Sequence, residues 1–195
     1  MSLRKVDLAR ETKETKVAIE FNPDVQDGIE IDSGVPFVNH LLEAMAFHGG
    51  FGLKIKASGD VDVDHHHIVE DIGLVFGSIL HKITIDFGNI HRFGYSVIPM
   101  DEALSEVSID VCGRPTLVFA DNFPQSKIGD FDLCLVQEFF KALTNRAKIA
   151  VHAQIRYGEN SHHMAESLFK ALGKSLSQAY SKADDLQSTK GTLMK

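Results

Sequence analysis

A repeated histidine motif constrains the fold of this chain more than any other feature. Residues 66–70 (HHIVE) and 162–166 (HHMAE) share the pattern HHxxE, and the second copy follows the first by 96 residues in a chain of 195. Gly77 and Gly173 recur at the same offset. Self-similarity at about half the chain length indicates an internal duplication, since a chance match would not extend beyond the motif. The sequence therefore predicts two similar halves of roughly 90 to 100 residues.

Helical periodicity follows each motif. Apolar residues recur at steps of three and four from Ile72 to Ile83 and from Leu168 to Leu176, so each histidine pair is predicted to lie at a helix N-terminus. A second helix is predicted in each half, over 37–47 and 135–143. Strand-like alternation occurs over 15–21, 53–57, 106–111 and 149–155. Each half is thus predicted to be an α+β unit with helices on one face of a sheet.

Amino-acid composition and the absence of a linker indicate the class of protein. Because no linker rich in Pro, Gly or Ser divides the chain, residues 1–195 are predicted to form one domain of two repeats, about 1–90 and 91–183, with a polar C-terminal tail. A net charge of −7 with 44% apolar residues favours an acidic globule without nucleic-acid or membrane partners. An N-terminus lacking an apolar targeting segment and only two cysteines, Cys112 and Cys134, predict a cytoplasmic protein.

The HHxxE pattern has the chemistry of a metal site. On a helix Glu70 shares a face with His66 and His67, whereas adjacent histidines diverge by about 100° and address different targets. Two repeats could therefore supply a pair of ions, and an imidazole and carboxylate shell without thiolate suits Mn, Fe, Zn or Co. For one motif alone, solvated histidines beside a helix-capping glutamate would be the simpler interpretation. The duplication favours the metal site.

The acidic stretch Asp60 to Asp64 suggests calcium, but its spacing does not fit. The sixth loop position is His65, where an EF-hand turn needs glycine, and the twelfth is Asp71 instead of glutamate. We therefore expect these aspartates to be the outward residues of a strand.

Several blocks of sequence together resemble the imidazoleglycerol-phosphate dehydratase family of histidine biosynthesis, over nearly the whole chain. His65 stands where members commonly have Asp, and Glu138 where some members have a metal-ligating His. The blocks that carry the resemblance are RETKET (10–15), FVNHLLEAMAFHGGF (37–51), HHIVEDIG (66–73), RFGYSVIPMDEAL (92–104), GRP (113–115), NSHHMAESLFKAL (160–172) and STKG (188–191).

The resemblance implies an architecture and a metal centre. The fold would be α+β, with internally duplicated halves like the second domain of ribosomal protein S5, each a four-stranded sheet with two helices on one face. The chains would form a homo-oligomer, a 24-mer, with two Mn²⁺ ions per active site at subunit interfaces, other divalent metals being possible. The implied metal ligands are His40, His66, His67, Glu70, Glu138, His162, His163 and Glu166.

The resemblance also implies the reaction, loss of water from imidazole glycerol phosphate to give imidazole acetol phosphate. Two metal ions would stabilise a substrate imidazolate, which expels a hydroxyl through a diazafulvene-like intermediate. Glu14 is the candidate general acid/base, and from the residues alone it would be a surface glutamate. The implied substrate-binding residues are Glu14, His48, Arg92, Arg114, Lys170, Ser188, Thr189 and Lys190.

Two of these assignments have ordinary alternatives. Lys170 could be a plain i,i+4 partner of Glu166, and His48 could be a helix C-terminal histidine before Gly49. His65, His81, His91 and His152 have no assigned role.

Two other functions share these ligands. A two-metal phosphate-ester hydrolase would use the ions to activate water and would release phosphate. A structural metal protein would use the ions only to join subunits, which leaves Glu14 and the cations at 92, 114 and 190 without a purpose. A separate phosphatase domain, present in some family members, would not fit in this length, so we expect a monofunctional enzyme.

Overall fold

The computed structural model describes residues 4–189 and 191–194. The first half contains four strands and two helices, and the second half contains six strands and two helices. The elements of the first half are β1 (Val6–Glu11), β2 (Thr15–Asn22), β3 (Ile29–Asp32), α1 (Pro36–Gly49), β4 (Gly52–Gly59) and α2 (His66–Phe87). Those of the second half are β5 (Phe93–Met100), β6 (Ala103–Asp110), β7 (Thr116–Ala120), β8 (Lys127–Ile128), β9 (Phe131–Asp132), α3 (Cys134–Ala147), β10 (Ala150–Tyr157) and α4 (Ser161–Tyr180).

The two halves repeat one sheet topology. The first sheet has the strand order β1-β2-β4-β3 and the second has β5-β6-β10-β7. In both, the first three strands pair antiparallel and the last strand is parallel to its neighbour. The predicted α+β fold of two four-stranded sheets with helices is confirmed.

Alternating burial explains why these segments form half-buried strands. In β2 the side chains of Val17, Ile19 and Phe21 are buried, while those between them are more exposed. Period-2 alternation places every second side chain on the core face of a sheet. Helix α2 covers the first sheet and α4 covers the second, so the helices lie between the two sheets in one continuous core. None of the helices in the described part of the chain is long and apolar enough to cross a membrane.

Glycines let the helices of the two halves approach closely. Helix α2 packs against α3, and α1 packs against α4. A Cβ on Gly77 would stand 2.5 Å from the carbonyl oxygen of Leu143, and one on Gly173 would overlap the carbonyl oxygen of Met45. Gly77 and Gly173 are equivalent in the repeat, and so are Met45 and Leu143. The α2–α3 and α4–α1 crossings are therefore copies of one packing arrangement.

Substitution of Gly173 tests this packing. We expect Gly173→Ala to lower the free energy of unfolding by about 2 to 3 kcal/mol, because the added methyl group must displace backbone of α1. Lys174→Ala, at the exposed neighbouring position on α4, should change it by less than about 0.5 kcal/mol. Urea unfolding of both variants measures the difference. Equal stability of the two variants would contradict the close crossing.

The repeats differ by an insertion. The loop between β3 and α1 spans residues 33–35, whereas 121–133 separate β7 from α3 and contain the β8–β9 hairpin. The β1–β2 and β5–β6 hairpins come before this insertion in their repeats, and the HHxxE motifs come after it. Equivalent residues of the hairpins are therefore separated by fewer positions than equivalent residues of the HHxxE motifs. Glu14 and Glu102 occupy equivalent positions, each directly before the second strand of its hairpin.

One expectation from the sequence is wrong. Strand β4 ends at Gly59, and residues 60–64 form a turn that leads into α2, so Asp60 to Asp64 are not the outward residues of a strand. Two of these carboxylates have local partners instead. Asp64 accepts a hydrogen bond from the backbone N–H of His66 at 2.7 Å, and Asp60 contacts His67.

A partly buried ion cluster joins Arg4, at the start of the described chain, to Lys182 just after α4. Asp24 accepts from the Arg4 guanidinium at 2.6 Å and lies 3.1 Å from the Lys182 ammonium. Burial raises the pKa of Asp24, but hydrogen bonds from Arg4 and Lys182 outweigh it and hold the pKa at about 2, below the ordinary 3.8. The carboxylate therefore stabilises the fold above pH 3.8, and this contribution is lost as the pH falls toward 2.

The Asp24 cluster should make stability depend on pH. We expect Asp24→Asn to remove a pH-dependent contribution of about 2 kcal/mol, present at neutral pH and fading as the pH falls through 3.8 toward 2. The control is Asp86→Asn, which breaks an exposed i,i+4 pair with Lys82 and should change stability little. Urea unfolding at several pH values measures both. A constant difference between wild type and Asp24→Asn from pH 7 to pH 2.5 would contradict the assignment.

Candidate metal centre and active site

Three predicted metal ligands lie together where α1 meets α4. The Nε2 atom of His40 is 2.8 Å from Oε2 of Glu166, and Nε2 of His162 is 3.2 Å from the same oxygen. Residue 40 lies in the first half and the other two in the second, so the packing of the two repeats creates the cluster. In the described part of the chain, no other group of three His, Cys, Asp or Glu donors lies within 4.8 Å of one another.

The donor set of this cluster fits a divalent first-row metal ion. Two imidazoles and one carboxylate with open positions form the arrangement that holds Fe²⁺ in many proteins and suits Mn²⁺ as well. Burial raises the pKa of Glu166, but hydrogen bonds from Lys170 and His40 outweigh it and lower the pKa to about 2. The Glu166 carboxylate is therefore ionised at neutral pH. Its other oxygen, Oε1, accepts from the Lys170 ammonium at 2.7 Å.

A second, more open group lies on the equivalent helix pair, α2 and α3. His66 Nε2 is 3.9 Å from Oε2 of Glu70, while the Glu138 carboxylate lies 3.5 Å from Lys141. Because the α2–α3 crossing repeats the α4–α1 crossing, Glu138 occupies the position on α3 that His40 occupies on α1. The duplication thus places His66, Glu70 and Glu138, the predicted ligands of a second ion, on facing helices. It does not bring all three together as in the first cluster.

The second histidine of each motif points to a different set of partners. The rings of His66 and His67 are inclined at 90°, and those of His162 and His163 at 83°. His67 Nδ1 lies 3.0 Å from Asp60, and its Nε2 lies 3.9 Å from Oε2 of Glu14. The predicted divergence of adjacent histidines is therefore present in both repeats.

His163 repeats this arrangement in the second half. Its Nδ1 lies 2.9 Å from Glu102 and its Nε2 lies 3.8 Å from Asp101. Hydrogen bonds from His163 and from the backbone of Asn160 lower the pKa of Glu102 to about 2. In turn, Glu102 raises the pKa of His163, as Asp60 does for His67.

The sequence interpretation missed the carboxylates that orient these histidines. Asp60, Asp101 and Glu102 each contact a predicted ligand. Metal-ligating histidines usually donate their second ring nitrogen to a carboxylate or carbonyl, so such partners were to be expected. Glu102 could have been found by aligning the β1–β2 hairpin with the β5–β6 hairpin, which places Glu14 over Glu102. The insertion changes the spacing between the repeats, so a comparison at the 96-residue spacing of the HHxxE motifs does not show this match.

The two predicted phosphate-binding arginines both contact residues at or just after the end of β6. Arg92 pairs with Asp110 at 2.7 Å and donates from Nη1 to the carbonyl of Gln187 at 3.0 Å. Arg114 is exposed, and its Nη1 donates to the carbonyl of Cys112 at 3.3 Å. Arg92 therefore ties the start of β5 to the C-terminal segment that carries Ser188.

The remaining predicted substrate-binding residues lie near α4 or in the C-terminal segment. Lys170 is the i,i+4 partner of Glu166, as the simpler interpretation had it. Burial, then the nearby ammonium groups of Lys170 and Lys174, lower the pKa of His48 in the last turn of α1. Ser188 donates to the carbonyl of Thr192 at 2.7 Å, and Thr189 is exposed. Lys190 lies outside the described residues.

A cleft of about 630 Å³ opens beside the three-ligand cluster. The first turn of α1 and the β8–β9 hairpin form its walls, and His40 and His162 line it. On the opposite side the ring of His65 stacks on Phe131, with centroids 6.1 Å apart and an interplanar angle of 17°. A cleft of this volume is in the range that small-molecule ligands occupy.

Comparison with known proteins identifies the family of this chain. The model of the imidazoleglycerol-phosphate dehydratase family matches residues 33–176. The chain is 44% identical over 192 residues to the imidazoleglycerol-phosphate dehydratase of Thermodesulfovibrio yellowstonii, covering 98% of this chain and 100% of the relative. It is 45% identical over 189 residues to the enzyme of the same name from Clostridium acetobutylicum, covering 95% and 96%.

Solved structures show the same fold. The crystal structure of imidazoleglycerol-phosphate dehydratase from Staphylococcus aureus has a TM-score of 0.82 and 36% identity, covering 91% of this chain and 99% of that one. The crystal structure from Pyrococcus furiosus has a TM-score of 0.84 and 33% identity, covering 95% and 100%. On this sequence and structural similarity, the chain belongs to the imidazoleglycerol-phosphate dehydratase family, the lyases of the dehydration step in histidine biosynthesis.

Proposed function

We propose that this chain converts imidazole glycerol phosphate to imidazole acetol phosphate with two divalent metal ions per active site, Mn²⁺ being the expected ion. The observation that carries the proposal is the cluster of His40, His162 and Glu166, with its equivalent on the second helix pair. Such ions, when bound, would supply Lewis-acid polarisation of the substrate's imidazole ring, which a neutral ring needs to act as an electron sink.

The eight predicted ligands divide into three groups. His40, His162 and Glu166 would hold one ion, and Glu138, His66 and Glu70 would hold the other. His67 and His163 point away from their neighbours, and we propose that each completes a site on an adjoining subunit.

Glu14 is the residue that we propose moves protons at the glycerol carbons. The reaction removes the hydroxyl from C3 as water and a proton from C2, and it returns a proton to C3 when the enol becomes the ketone. A general acid/base must be able to change its protonation state and reach the substrate. The side chain of Glu14 is 58% exposed and makes no side-chain hydrogen bond to any residue that the structure describes, with His67 Nε2 3.9 Å away.

The equivalent glutamate of the second repeat is unsuited to this role. The Glu102 carboxylate accepts from His163 and from the backbone N–H groups of Glu159 and Asn160 at 3.1 and 2.8 Å. With its pKa lowered to about 2, it stays ionised at neutral pH. We infer that the two hairpins have diverged, one glutamate holding a histidine and the other serving the reaction.

The substrate phosphate would be bound by cations and hydroxyl groups. We propose that the phosphate is bound by Arg114, which is exposed, and by the C-terminal segment containing Ser188, Thr189 and Lys190. Arg92 would orient that segment through its bond to the Gln187 carbonyl. Lys170 and His48 lie near Glu166, so we place them beside the reacting part of the substrate. A cytoplasmic location stays a prediction of the sequence.

Product analysis tests the proposed chemistry. In D₂O the product should retain its phosphate ester, should have lost the C2 hydrogen, and should carry deuterium at C3, as observed by proton and phosphorus NMR. A phosphatase would instead release inorganic phosphate and leave both carbon-bound hydrogens in place. The second outcome would favour the hydrolase.

Light scattering tests the proposed sharing of sites between subunits. We expect the metal-loaded protein to form a 24-mer and to fall to smaller oligomers when EDTA removes the metal, because ligands from different chains would then lose their common ion. An unchanged assembly after complete metal removal would argue against shared sites.

A further inference from the structure

The loop that carries Glu14 is fixed through its backbone. Residues 12–14 connect β1 to β2, and the hydroxyl oxygen of Thr12 accepts hydrogen bonds from the N–H groups of Glu14 at 3.1 Å and Thr15 at 2.9 Å. Such a side-chain-to-backbone turn fixes the local chain direction. The Glu14 side chain itself forms no hydrogen bond within the described part of the chain.

Thr12 is in turn connected to a buried carboxylate. Thr15 donates a hydrogen bond to Oδ2 of Asp71, and the hydroxyl groups of Thr12 and Thr15 are 3.2 Å apart. The Thr15 hydroxyl donates its proton to Asp71, so the Thr12 hydroxyl donates toward Thr15, to its Oγ1 or to its carbonyl oxygen at 3.4 Å. The Thr12 oxygen then keeps its two lone pairs for the two N–H groups, which satisfies every atom of the chain of bonds.

The anchor of this chain of bonds is helix α2. Asp71 is 6% exposed and its Oδ1 accepts from Nε of Arg10 at 2.8 Å. Burying a carboxylate costs free energy unless it is paired and hydrogen-bonded, so the buried position of Asp71 requires its contacts with Arg10 and Thr15. Asp71 directly follows Glu70 on α2 and lies one turn after His67. The helix that presents three predicted ligands therefore also holds the loop of Glu14.

The second repeat lacks this chain of hydrogen bonds. By the hairpin and helix offsets, Thr12, Thr15 and Asp71 correspond to Met100, Ala103 and Ser167, none of which carries a carboxylate. The Ser167 hydroxyl contacts Ser105 instead, at 2.7 Å. Glu102 is held by bonds to its own carboxylate, as described above. The chain of bonds thus occurs only in the repeat whose glutamate is left free.

We propose that Asp71, Thr15 and Thr12 act as positioning residues, which fix Glu14 relative to the metal-binding end of α2. This inference rests on the proposed function of Glu14. Misplacement of a reacting group by about 1 Å can cost up to about 10²-fold in rate, so a defect in the chain of bonds should appear in kcat.

The test uses Thr12→Val, Thr12→Ser and the control Thr144→Val, each in the wild-type protein and in Glu14→Gln, with metal loaded. We expect Thr12→Val to lower kcat about 10-fold or more and to change KM less than about 3-fold, while Thr12→Ser restores most of the rate. Thr144 is buried on α3, and its hydroxyl has no hydrogen-bond partner among the described residues, so Thr144→Val should keep full activity. Bound metal should be the same in all variants, and all of them should be folded at the assay temperature.

The Glu14→Gln background separates positioning from a general structural role. If Thr12 acts by placing Glu14, Thr12→Val should have almost no further effect once Glu14 is lost. Equal losses in both backgrounds, or full activity of Thr12→Val, would overturn the inference. Full activity of Glu14→Gln would instead overturn the role proposed for Glu14. Should Thr12→Val fail to fold, Asp71→Asn in the same two backgrounds makes the same comparison.

Discussion

Glu14→Gln should lower kcat by about 10²- to 10⁴-fold while leaving KM and bound metal nearly unchanged. Glutamine keeps the shape of the side chain but cannot give or take a proton. The exposed position of Glu14 makes a loss of stability small, because the ion pair that its carboxylate forms within the described residues is the long one to His67 at 3.9 Å. Steady-state kinetics with imidazole glycerol phosphate measures the loss.

The matched control is Glu11→Gln on the same hairpin. Glu11 pairs with Lys16 at 3.0 Å on the surface, where both side chains are about two-thirds exposed. We expect this variant to keep full activity. If Glu14→Gln is as active as Glu11→Gln, another group must move the protons.

Loss of a ligand from the three-residue cluster should have an effect of similar size. We expect His162→Ala to bind about half as much Mn²⁺ as the wild type and to lose at least about 10²-fold in kcat, since the half-site on α1 and α4 would keep only His40 and Glu166. Elemental analysis of the purified protein measures the metal, and the kinetic assay measures the rate.

His152→Ala is the control for that experiment. His152 is exposed on β10 and belongs to neither predicted half-site, so the variant should bind metal and react as the wild type does. Full metal content in His162→Ala would show that the cluster is not a metal site. Reduced metal with full activity would show that this ion has no part in the reaction.

The fold was predictable because the repeated motif and the periodic spacing of apolar residues can both be recognised within short segments of the sequence. Helices α2 and α4 begin within one residue of the histidine pairs, and the segments with alternating burial are strands β2, β4, β6 and β10. The edge strands β1, β3, β5 and β7 were not predicted, because at most two side chains of each are buried and the apolar alternation is therefore weak. The turn at 60–64 was mistaken for a strand, since alternating Asp and Val imitates a half-buried sheet.

The site was predictable in its residue types but not in its contacts. Spacing on one helix accounts for His162 and Glu166, whereas the approach of His40 across 126 residues depends on the crossing of α1 and α4 at Gly173. The bonds from Asp60 to His67 and from Asp71 to Thr15 likewise join separate elements. No periodicity encodes such long-range pairs, and a single sequence could suggest them only through the resemblance to a family.

The most direct test of the whole account is turnover of imidazole glycerol phosphate by protein stripped with EDTA and then resupplied with Mn²⁺, with ketone and inorganic phosphate followed in the same tube. We expect ketone to appear only after metal is added, and no phosphate to be released. Ketone formation at full rate without metal would contradict the proposed metal centre. Phosphate without ketone would contradict the dehydration itself.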